Sequence, residues 1–229
     1  MSVALELRDL RCVRGPRVLF SDLSATVKVG QMLRVQGENG AGKTSLLRMV
    51  CGLASPDSGE VLWQGRPIAR LREEFNLQLV YLGHAPALKD DLSALENLLA
   101  SGGLAGLACT EAAAAGALAQ AGLRQQLRLP ARVLSQGQRK RVALARLALS
   151  TAAALWVLDE PFNALDETAT TWLQGLIAAQ LSRGGVVVMT SHQGRAWDAA
   201  QPQVAITLQP PGAAPEANAP PGRVMGMAR

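Results

Sequence analysis

The sequence predicts an α/β fold in which a parallel sheet is joined to an N-terminal antiparallel β subdomain and to an inserted helical lobe. Two short apolar runs, "ALWVLDE" (154–160) and "GVVVMTSH" (185–192), end in polar residues, which is typical of parallel strands covered on both faces. Residues 3–35 alternate apolar and polar side chains, which favours strands with one solvated face. Between Ser93 and Leu127, Ala and Leu recur at helical spacing and predict the lobe.

The remaining elements follow in chain order. The segment "GEVLWQGRPI" predicts a hairpin around Gln64–Gly65, and residues 77–82 predict a buried strand. Gly102–Gly103 is expected to interrupt the helical lobe, and residues 135–149 to form a further helix. From Gln209 onward, Pro and Ala dominate and apolar side chains are few, so the C-terminus is expected to be a disordered tail.

Composition limits the class of protein. At 229 residues with 48% hydrophobic and 18% charged residues, the chain is long enough for one compact domain with a sizeable core. Its three cysteines are scattered without C-x-x-C spacing, which favours a reducing compartment over disulfides or a zinc site. No signal peptide is apparent, and the apolar stretch 142–158 contains Arg146 and is followed by Asp159. The sequence therefore predicts a soluble intracellular protein.

The charge balance does not identify a partner. The formal net charge is +5, with a pI near 9.6, which permits nucleic acid or an anionic membrane surface. No basic stripe with interleaved aromatic residues occurs, so nucleic acid is not expected as a partner.

The segment "GENGAGKTS" (37–45) matches the phosphate-loop pattern G-x-x-x-x-G-K-[ST] between a strand, "LRVQ", and a helix, "SLLRMVCGL". Its glycines allow backbone N–H groups to face phosphates, Lys43 supplies a positive charge, and the Thr44 hydroxyl is a candidate Mg²⁺ ligand. ATP and Mg²⁺ are therefore the expected ligands. The candidate ATP-binding residues are Gly37, Glu38, Asn39, Gly40, Ala41, Gly42, Lys43, Thr44 and Ser45.

A P-loop NTPase also needs an acidic residue at the end of a neighbouring strand. Asp159 follows four apolar residues in "LWVLDEP" and is the expected second Mg²⁺ ligand. Glu160 comes next and is placed to act as a general base on the attacking water. Either carboxylate alone could be an ordinary loop residue, and the phosphate loop favours the catalytic interpretation.

Three further segments resemble motifs of the ATP-binding cassette (ABC) ATPases. "VLSQGQRKRVALARLAL" resembles their LSGGQ signature, "NALD" their D-loop with Asp166, and "MTSHQ" places His192 at the position of their switch histidine. The resemblance covers about residues 3–208 and implies one ABC nucleotide-binding domain over 1–208, with a RecA-like core and a helical lobe at about 85–150, before the tail at 209–229.

The same resemblance implies a head-to-tail homodimer with two ATP molecules at the interface. The signature residues of one subunit would then face the γ-phosphate that Lys43 of the other subunit holds. In this sequence the signature consists of Ser135, Gln136, Gly137 and Gln138.

His84 lies where most ABC domains have the glutamine of the Q-loop. An imidazole can exchange hydrogen bonds with water and titrates near neutral pH, but it is a poorer Mg²⁺ ligand than an amide oxygen. His84 is therefore expected to fill the Q-loop role and to make hydrolysis pH-dependent, unless it only ends the strand.

Two other positions depart from the family pattern. Gln136 replaces the first glycine of the signature, whereas Ser135 and Gly137 are kept. The aromatic residue that usually stacks on adenine is missing, and its position corresponds to about Arg14 in "CVRGPRVLF". An Arg guanidinium can stack on a base, so Arg14 is one candidate for adenine contact and loose binding of the base is the other.

Within the ABC class, the segments "GEVLWQGRPI", "YLGHAPALKDDLSALENL", "LSQGQRKRVALARL" and "LDEPFNALD" together resemble the ATP-binding subunit of the cytochrome c maturation (Ccm) heme-exporter family. That resemblance implies an ATPase that works with separate integral membrane permease subunits at the cytoplasmic face of the inner membrane. No C-x-x-C-H heme-attachment motif is present. The alternatives are the ATPase of another ABC exporter, a soluble ABC ATPase, and a regulatory nucleotide-binding module.

Overall fold

A computed structural model describes residues 2–106, 109–191 and 202–209. The described elements form two sheets, a group of three helices and three further helices. In chain order they are β1 (Val3–Arg14), β2 (Arg17–Lys28), β3 (Met32–Gly37), α1 (Lys43–Val50), β4 (Ser58–Trp63), β5 (Arg66–Pro67), α2 (Ile68–Asn76), β6 (Leu79–Leu82), α3 (Ala94–Leu104), α4 (Glu111–Gln120), α5 (Gln136–Leu149), β7 (Leu155–Leu158), α6 (Glu167–Ser182), β8 (Val186–Thr190) and β9 (Gln203–Leu208).

The central sheet has five parallel strands in the order β6-β7-β8-β3-β9. Every residue of β7 and β8 is buried, because alternate side chains pack against helices on opposite faces. Leu155 and Val157 join the apolar cluster that includes α1, whereas Trp156 and Leu158 join the cluster that includes α6. The predicted α/β fold with a parallel core is confirmed.

The N-terminal sheet is antiparallel, with the order β2-β1-β4-β5. Its inner face supplies Leu5, Leu7 and Leu10 to the same cluster as α1, so α1 is covered by both sheets. The predicted hairpin is present: Gln64 and Gly65 connect β4 to β5 with φ angles of 51° and 75°, the left-handed conformation that a tight two-residue turn requires.

Helices α3, α4 and α5 pack around a third apolar cluster and form the helical lobe. The expected interruption at Gly102–Gly103 is wrong, because α3 continues to Leu104. Gly102 is buried, and a Cβ there would lie 3.0 Å from the Cβ of Cys109, so the glycine serves close packing of the helix and does not break it.

Other parts of the chain differ from the sequence-based description or extend it. The sequence pattern does not predict helix α2, helix α6 or strand β9. Strand β9 pairs with β3 along its whole length. Of the predicted tail, only Gln209 is among the described residues. No helix in the described ranges has the length and apolar character needed to cross a membrane.

Burial raises the pKa of the free thiol of Cys51 to about 12.

Candidate functional site

The predicted site residues converge because they follow adjacent parallel strands. The phosphate loop follows β3, Asp159 and Glu160 follow β7, and Thr190 ends β8, which lies between these two strands in the sheet. Carboxyl ends of parallel strands meet at one edge of a sheet, where ligands bind in this class of fold. A cavity of about 240 Å³ lies there, lined by phosphate-loop residues and by Glu160.

The phosphate loop runs from the end of β3 into the first turn of α1. Gly42 is the N-cap of α1 with φ 99°, and a Cβ there would lie 3.2 Å from the ring of Phe20. Both the backbone conformation and the close ring therefore require glycine. Among the described residues, α1 has no side-chain cap and no acidic residue in its first turn. Its free N–H groups and positive helix end are consequently suited to an anion.

Lys43 is buried, with 7% of its surface exposed, and its ammonium group remains within the loop. Its Nζ donates to the carbonyl oxygens of Gly37 at 2.8 Å and Glu38 at 3.1 Å. These two bonds hold the side chain over the cavity that the loop lines. A phosphate oxygen that entered the cavity would contact an ammonium group that is already in place. It would replace the weaker hydrogen bonds from Nζ to the two carbonyl oxygens.

Asp159 joins the phosphate loop to β8. The Thr44 hydroxyl donates to Asp159 Oδ2 at 2.8 Å, and the Thr190 hydroxyl donates to Oδ1 at 2.8 Å. Asp159 is 2% exposed, so this carboxylate depends on both hydroxyls for its hydrogen bonds. The hard oxygen atoms of Thr44 and Asp159 suit Mg²⁺, which commonly takes one or two protein ligands beside phosphate and water.

Glu160 is held by residues of three segments. Its backbone N–H donates to Thr190 Oγ1 at 2.7 Å, and Asn163 Nδ2 donates a short hydrogen bond to its Oε2. His84 Nδ1 lies 3.3 Å from the same Oε2. The glutamate side chain is 12% exposed and the imidazole 67%, so His84 lies at the open side of the carboxylate. The structure thus brings together two of the three predicted catalytic residues.

The third predicted catalytic residue, His192, lies outside the described residues. Its neighbour Ser191 is described, and its backbone N–H donates to Val35 O at 3.2 Å at the end of β3. Asp166, the predicted D-loop residue, is the N-cap of α6 and accepts a hydrogen bond from Ala169 N at 2.8 Å.

The signature residues surround the start of α5. Ser135 and Gln138 form a capping box: Ser135 Oγ accepts from Gln138 N at 3.2 Å, and Gln138 Oε1 accepts from Ser135 N at 2.9 Å. Gln136 is exposed, and it is Gly137 that meets a neighbour closely, because a Cβ there would lie 2.8 Å from Ala164 O. In the described part of the chain, none of the four residues lines the cavity at the phosphate loop.

Arg14, the candidate for adenine contact, is paired with Arg17 at the turn between β1 and β2. A small cavity beside the phosphate loop is lined by Arg17, Val18 and Leu19 from β2, and Arg14 is not among the described residues that line it. Among the described residues that line this small cavity, Arg17 is therefore the basic one.

Sequence reasoning did not identify Thr190 or Asn163 as parts of the site. Thr190 is 1% exposed at the end of β8, and its hydroxyl contacts both Asp159 and Glu160. In the sequence, the position of Thr190 at the end of an apolar run is the feature that indicates this role. Asn163 was noted only within "NALD", although its amide contacts the expected base.

Comparison with known proteins agrees with this geometry. The family model described as ABC transporter matches residues 20–163. The cytochrome c biogenesis ATP-binding export protein CcmA of Aromatoleum aromaticum is 56% identical over 81% of this chain and 86% of its own length. CcmA of Nitrosomonas europaea is 52% identical over 82% and 88%.

Among solved structures, an ABC transporter ATP-binding protein from Pyrococcus furiosus superposes with a TM-score of 0.75. It is 26% identical to this chain, and the match covers 89% of this chain and 96% of the other. The predicted ABC fold and the resemblance to the cytochrome c maturation family are both confirmed. The chain belongs to the ABC transporter family and, within it, to the cytochrome c biogenesis ATP-binding export proteins.

Proposed function

We propose that this chain hydrolyses ATP to energise a membrane ABC complex in the biogenesis of c-type cytochromes, at a step of heme delivery or export. The observation that carries the ATPase assignment is the continuous set of hydrogen bonds from Thr44 of the phosphate loop through Asp159 and Thr190 to Glu160. The high identity to CcmA proteins over four fifths of the chain supports the pathway.

Binding would depend on charge and on backbone donors. The N–H groups at the start of α1 and the Lys43 ammonium would hold the β- and γ-phosphates, and Arg17 borders the loop where the base would extend. Thr44 and Asp159 would hold Mg²⁺, which when bound supplies neutralising charge to the phosphates. Lys43, Thr44 and Asp159 are already held by hydrogen bonds to their neighbours, so little reorganisation of these groups is needed.

Hydrolysis would use Glu160 as the general base. This residue lines the phosphate-loop cavity, and its carboxylate, which accepts from Asn163, would take the proton of the attacking water. His84 would orient that carboxylate or the water from the open side, in the place of the Q-loop glutamine. His192 is expected to contact the γ-phosphate.

The assembly that fits this site is a head-to-tail homodimer. The signature residues lie apart from the phosphate-loop cavity of their own subunit, so Ser135 and Gly137 would complete the site of a second copy. Separate integral membrane permease subunits would bind the dimer, which would lie peripherally at the cytoplasmic face of the inner membrane. The 440 Å³ cleft beside His84 and Pro86, between core and lobe, is where movement could be transmitted.

Three other functions compete with this proposal. An ATPase of a different exporter would use the same phosphate loop, Asp159 and Glu160, and it is disfavoured only by the identity to CcmA proteins. A soluble ABC ATPase usually has two cassettes or a coiled-coil insertion, and this sequence has one cassette and no heptads. A purely regulatory module would not need Glu160.

The experiment that tests the proposal is deletion of the gene, followed by complementation and staining of membranes for covalently bound heme. Wild type should restore c-type cytochromes, and Glu160→Gln should not, because the amide cannot accept the proton of water. Glu74→Gln, a change at an exposed ion pair with Arg66, should complement fully. Normal cytochromes in the deletion strain would contradict the pathway, and wild-type turnover by Glu160→Gln would contradict the role of the base.

A further inference from the structure

The peptide unit between Asp159 and Glu160 is held at both ends. Its carbonyl oxygen, Asp159 O, accepts from Lys140 Nζ at 3.4 Å. Its N–H, which belongs to Glu160, donates to Thr190 Oγ1 at 2.7 Å. This peptide group is therefore hydrogen-bonded to the ammonium group of Lys140 on helix α5 and to the hydroxyl group of Thr190 on strand β8. Its orientation determines where the Glu160 side chain begins.

This peptide plane needs to be held because Glu160 has an unfavourable backbone conformation. Its φ angle is 47°, in the left-handed region that residues with a Cβ rarely adopt. Such conformations persist where the surroundings fix them, and they are common at functional sites. Without its two hydrogen bonds, the backbone at Glu160 would be free to relax towards negative φ, which would turn the carboxylate away from the phosphate-loop cavity.

Lys140 is the one cation of the "RKR" run that points to the sheet edge. Arg139 pairs with Asp90 at 2.7 Å, and Arg141 donates to Ala121 O at 3.4 Å and lies 3.9 Å from Asp166 Oδ2 at the start of α6. Lys140 is 8% exposed. Burial lowers the pKa of its ammonium group, and the charges of Asp159 and Glu160 act in the opposite direction. Its charge is thus balanced by the two carboxylates of the site.

We propose that Lys140 is a positioning residue for hydrolysis, which fixes the Asp159–Glu160 peptide and links the signature helix to the general base. The inference depends on the proposed role of Glu160. Ser135 caps the helix that carries Lys140. A shift of α5 against β7, as the signature engages or leaves a second subunit, would change the Lys140 contact and with it the direction of the Glu160 carboxylate.

The test is the Lys140→Met variant in the intact membrane complex, because methionine keeps most of the unbranched side chain and removes its charge and donors. We expect kcat to fall by about 10²-fold, as for other small displacements of a catalytic group. The ATP dissociation constant should stay within about twofold, since Lys140 does not line the phosphate-loop cavity. Lys140→Arg should restore most of kcat, because a guanidinium can donate to the same carbonyl oxygen.

Arg146→Met is the matched control. Arg146 is a half-buried cation on the same helix, its Nε has no hydrogen-bond partner among the described residues, and burial lowers its pKa as it does for Lys140. Removing it should leave kcat unchanged. An equal loss in Arg146→Met and Lys140→Met would show a general effect of α5 and would overturn the proposal.

A double-mutant cycle with Glu160→Gln separates positioning from general stabilisation. If Lys140 acts through Glu160, adding Lys140→Met to Glu160→Gln should cause almost no further loss of kcat. Independent, multiplicative losses would overturn the proposal. Wild-type turnover by Glu160→Gln alone would instead overturn the role of Glu160 itself. If Lys140→Met does not fold, Lys140→Leu replaces it, because leucine also lacks a donor, and a wild-type kcat in that variant would overturn the inference.

Discussion

The imidazole of His84 approaches the expected general base from its open side. It lies 3.3 Å from Glu160 Oε2, at the solvent side of the carboxylate. Neutral imidazole can share a water molecule with the glutamate, whereas imidazolium pairs with it and makes it a weaker base. The basic residues Arg139 and Lys140 line the same cleft as His84.

We therefore expect kcat of the wild-type complex to fall when His84 is protonated, because imidazolium pairs with the Glu160 carboxylate and weakens it as a base. His84→Gln should flatten this fall, because the amide does not titrate, and should keep kcat at pH 8 within about threefold, because an amide can still orient water. The measurement is kcat at saturating ATP from pH 5.5 to 8.5 for both proteins. An unchanged rate and profile in the variant would mean that the histidine only ends the strand.

The residues of the site differ in how far sequence alone could find them. The phosphate loop, Asp159 and Glu160 were predictable, because each motif is contiguous and its chemistry limits the residue types. Lys140 and Thr190 were not, because their roles depend on contacts across 19 and 31 positions of the chain. A lysine in a basic run is usually solvated, and only its burial and its bond to Asp159 O show that this one points inward.

At the scale of elements, α3 and α5 begin with the same device, a capping box of Ser with the residue three positions later. In each, the Ser hydroxyl oxygen accepts from a backbone N–H, as shown by the 3.2 Å bonds to Glu96 N and Gln138 N. Ser93 also donates its hydroxyl proton to Glu96 Oε2 at 2.7 Å. Gln138 accepts from the backbone N–H of Ser135, so the Ser135 hydroxyl proton is available for a phosphate of a second subunit.

Ser93→Ala and Ser135→Ala should therefore separate stability from catalysis. Each loses one N-cap, and we expect each to lower the free energy of unfolding by about 1 kcal/mol. Only Ser135→Ala should also lower kcat, by about tenfold or more, because it removes a donor to the transferred phosphate. Urea unfolding of the chain and ATPase assays of the complex are the measurements. Equal kcat in the two variants would contradict the role of Ser135.

Local sequence patterns predict some elements of this fold and not others. The hairpin at Gln64–Gly65 was predictable because its turn conformation is set by the two residues themselves. Gly102–Gly103 was misinterpreted because glycine in a helix is unfavourable locally, whereas tertiary packing against Cys109 favours it. Strand β9 has a mixed pattern of exposure, and its pairing with β3 is a long-range contact that periodicity does not report.

At the scale of the whole molecule, the residues proposed for the site lie on two separate surfaces of one chain. Lys43 and Glu160 line the phosphate-loop cavity, whereas Ser135 and Gln136 are exposed at the start of α5 and do not line it in the described chain. A head-to-tail dimer would unite them in two equivalent sites. Lys43 and Glu160 of one copy would act on the same ATP, together with Ser135 of the other copy.

This arrangement predicts which pairs of inactive variants complement each other when they are co-expressed. Lys43→Ala and Ser135→Arg should each be inactive as homodimers, but their mixed dimer has one site with an intact Lys43, Glu160 and Ser135. Mixing should therefore restore ATPase activity to a substantial fraction of wild type in complexes purified through a different tag on each copy.

The matched control is the pair Lys43→Ala and Glu160→Gln, whose positions line the same cavity in one chain. In their mixed dimer each site keeps one defect, so no activity should return. Equal restoration by both pairs would mean that the altered residues do not divide between two surfaces, and restoration by neither would argue against sites shared between copies. Activity in the first mixture alone is the result that a head-to-tail dimer requires, since only then is an undamaged phosphate loop completed by an undamaged signature.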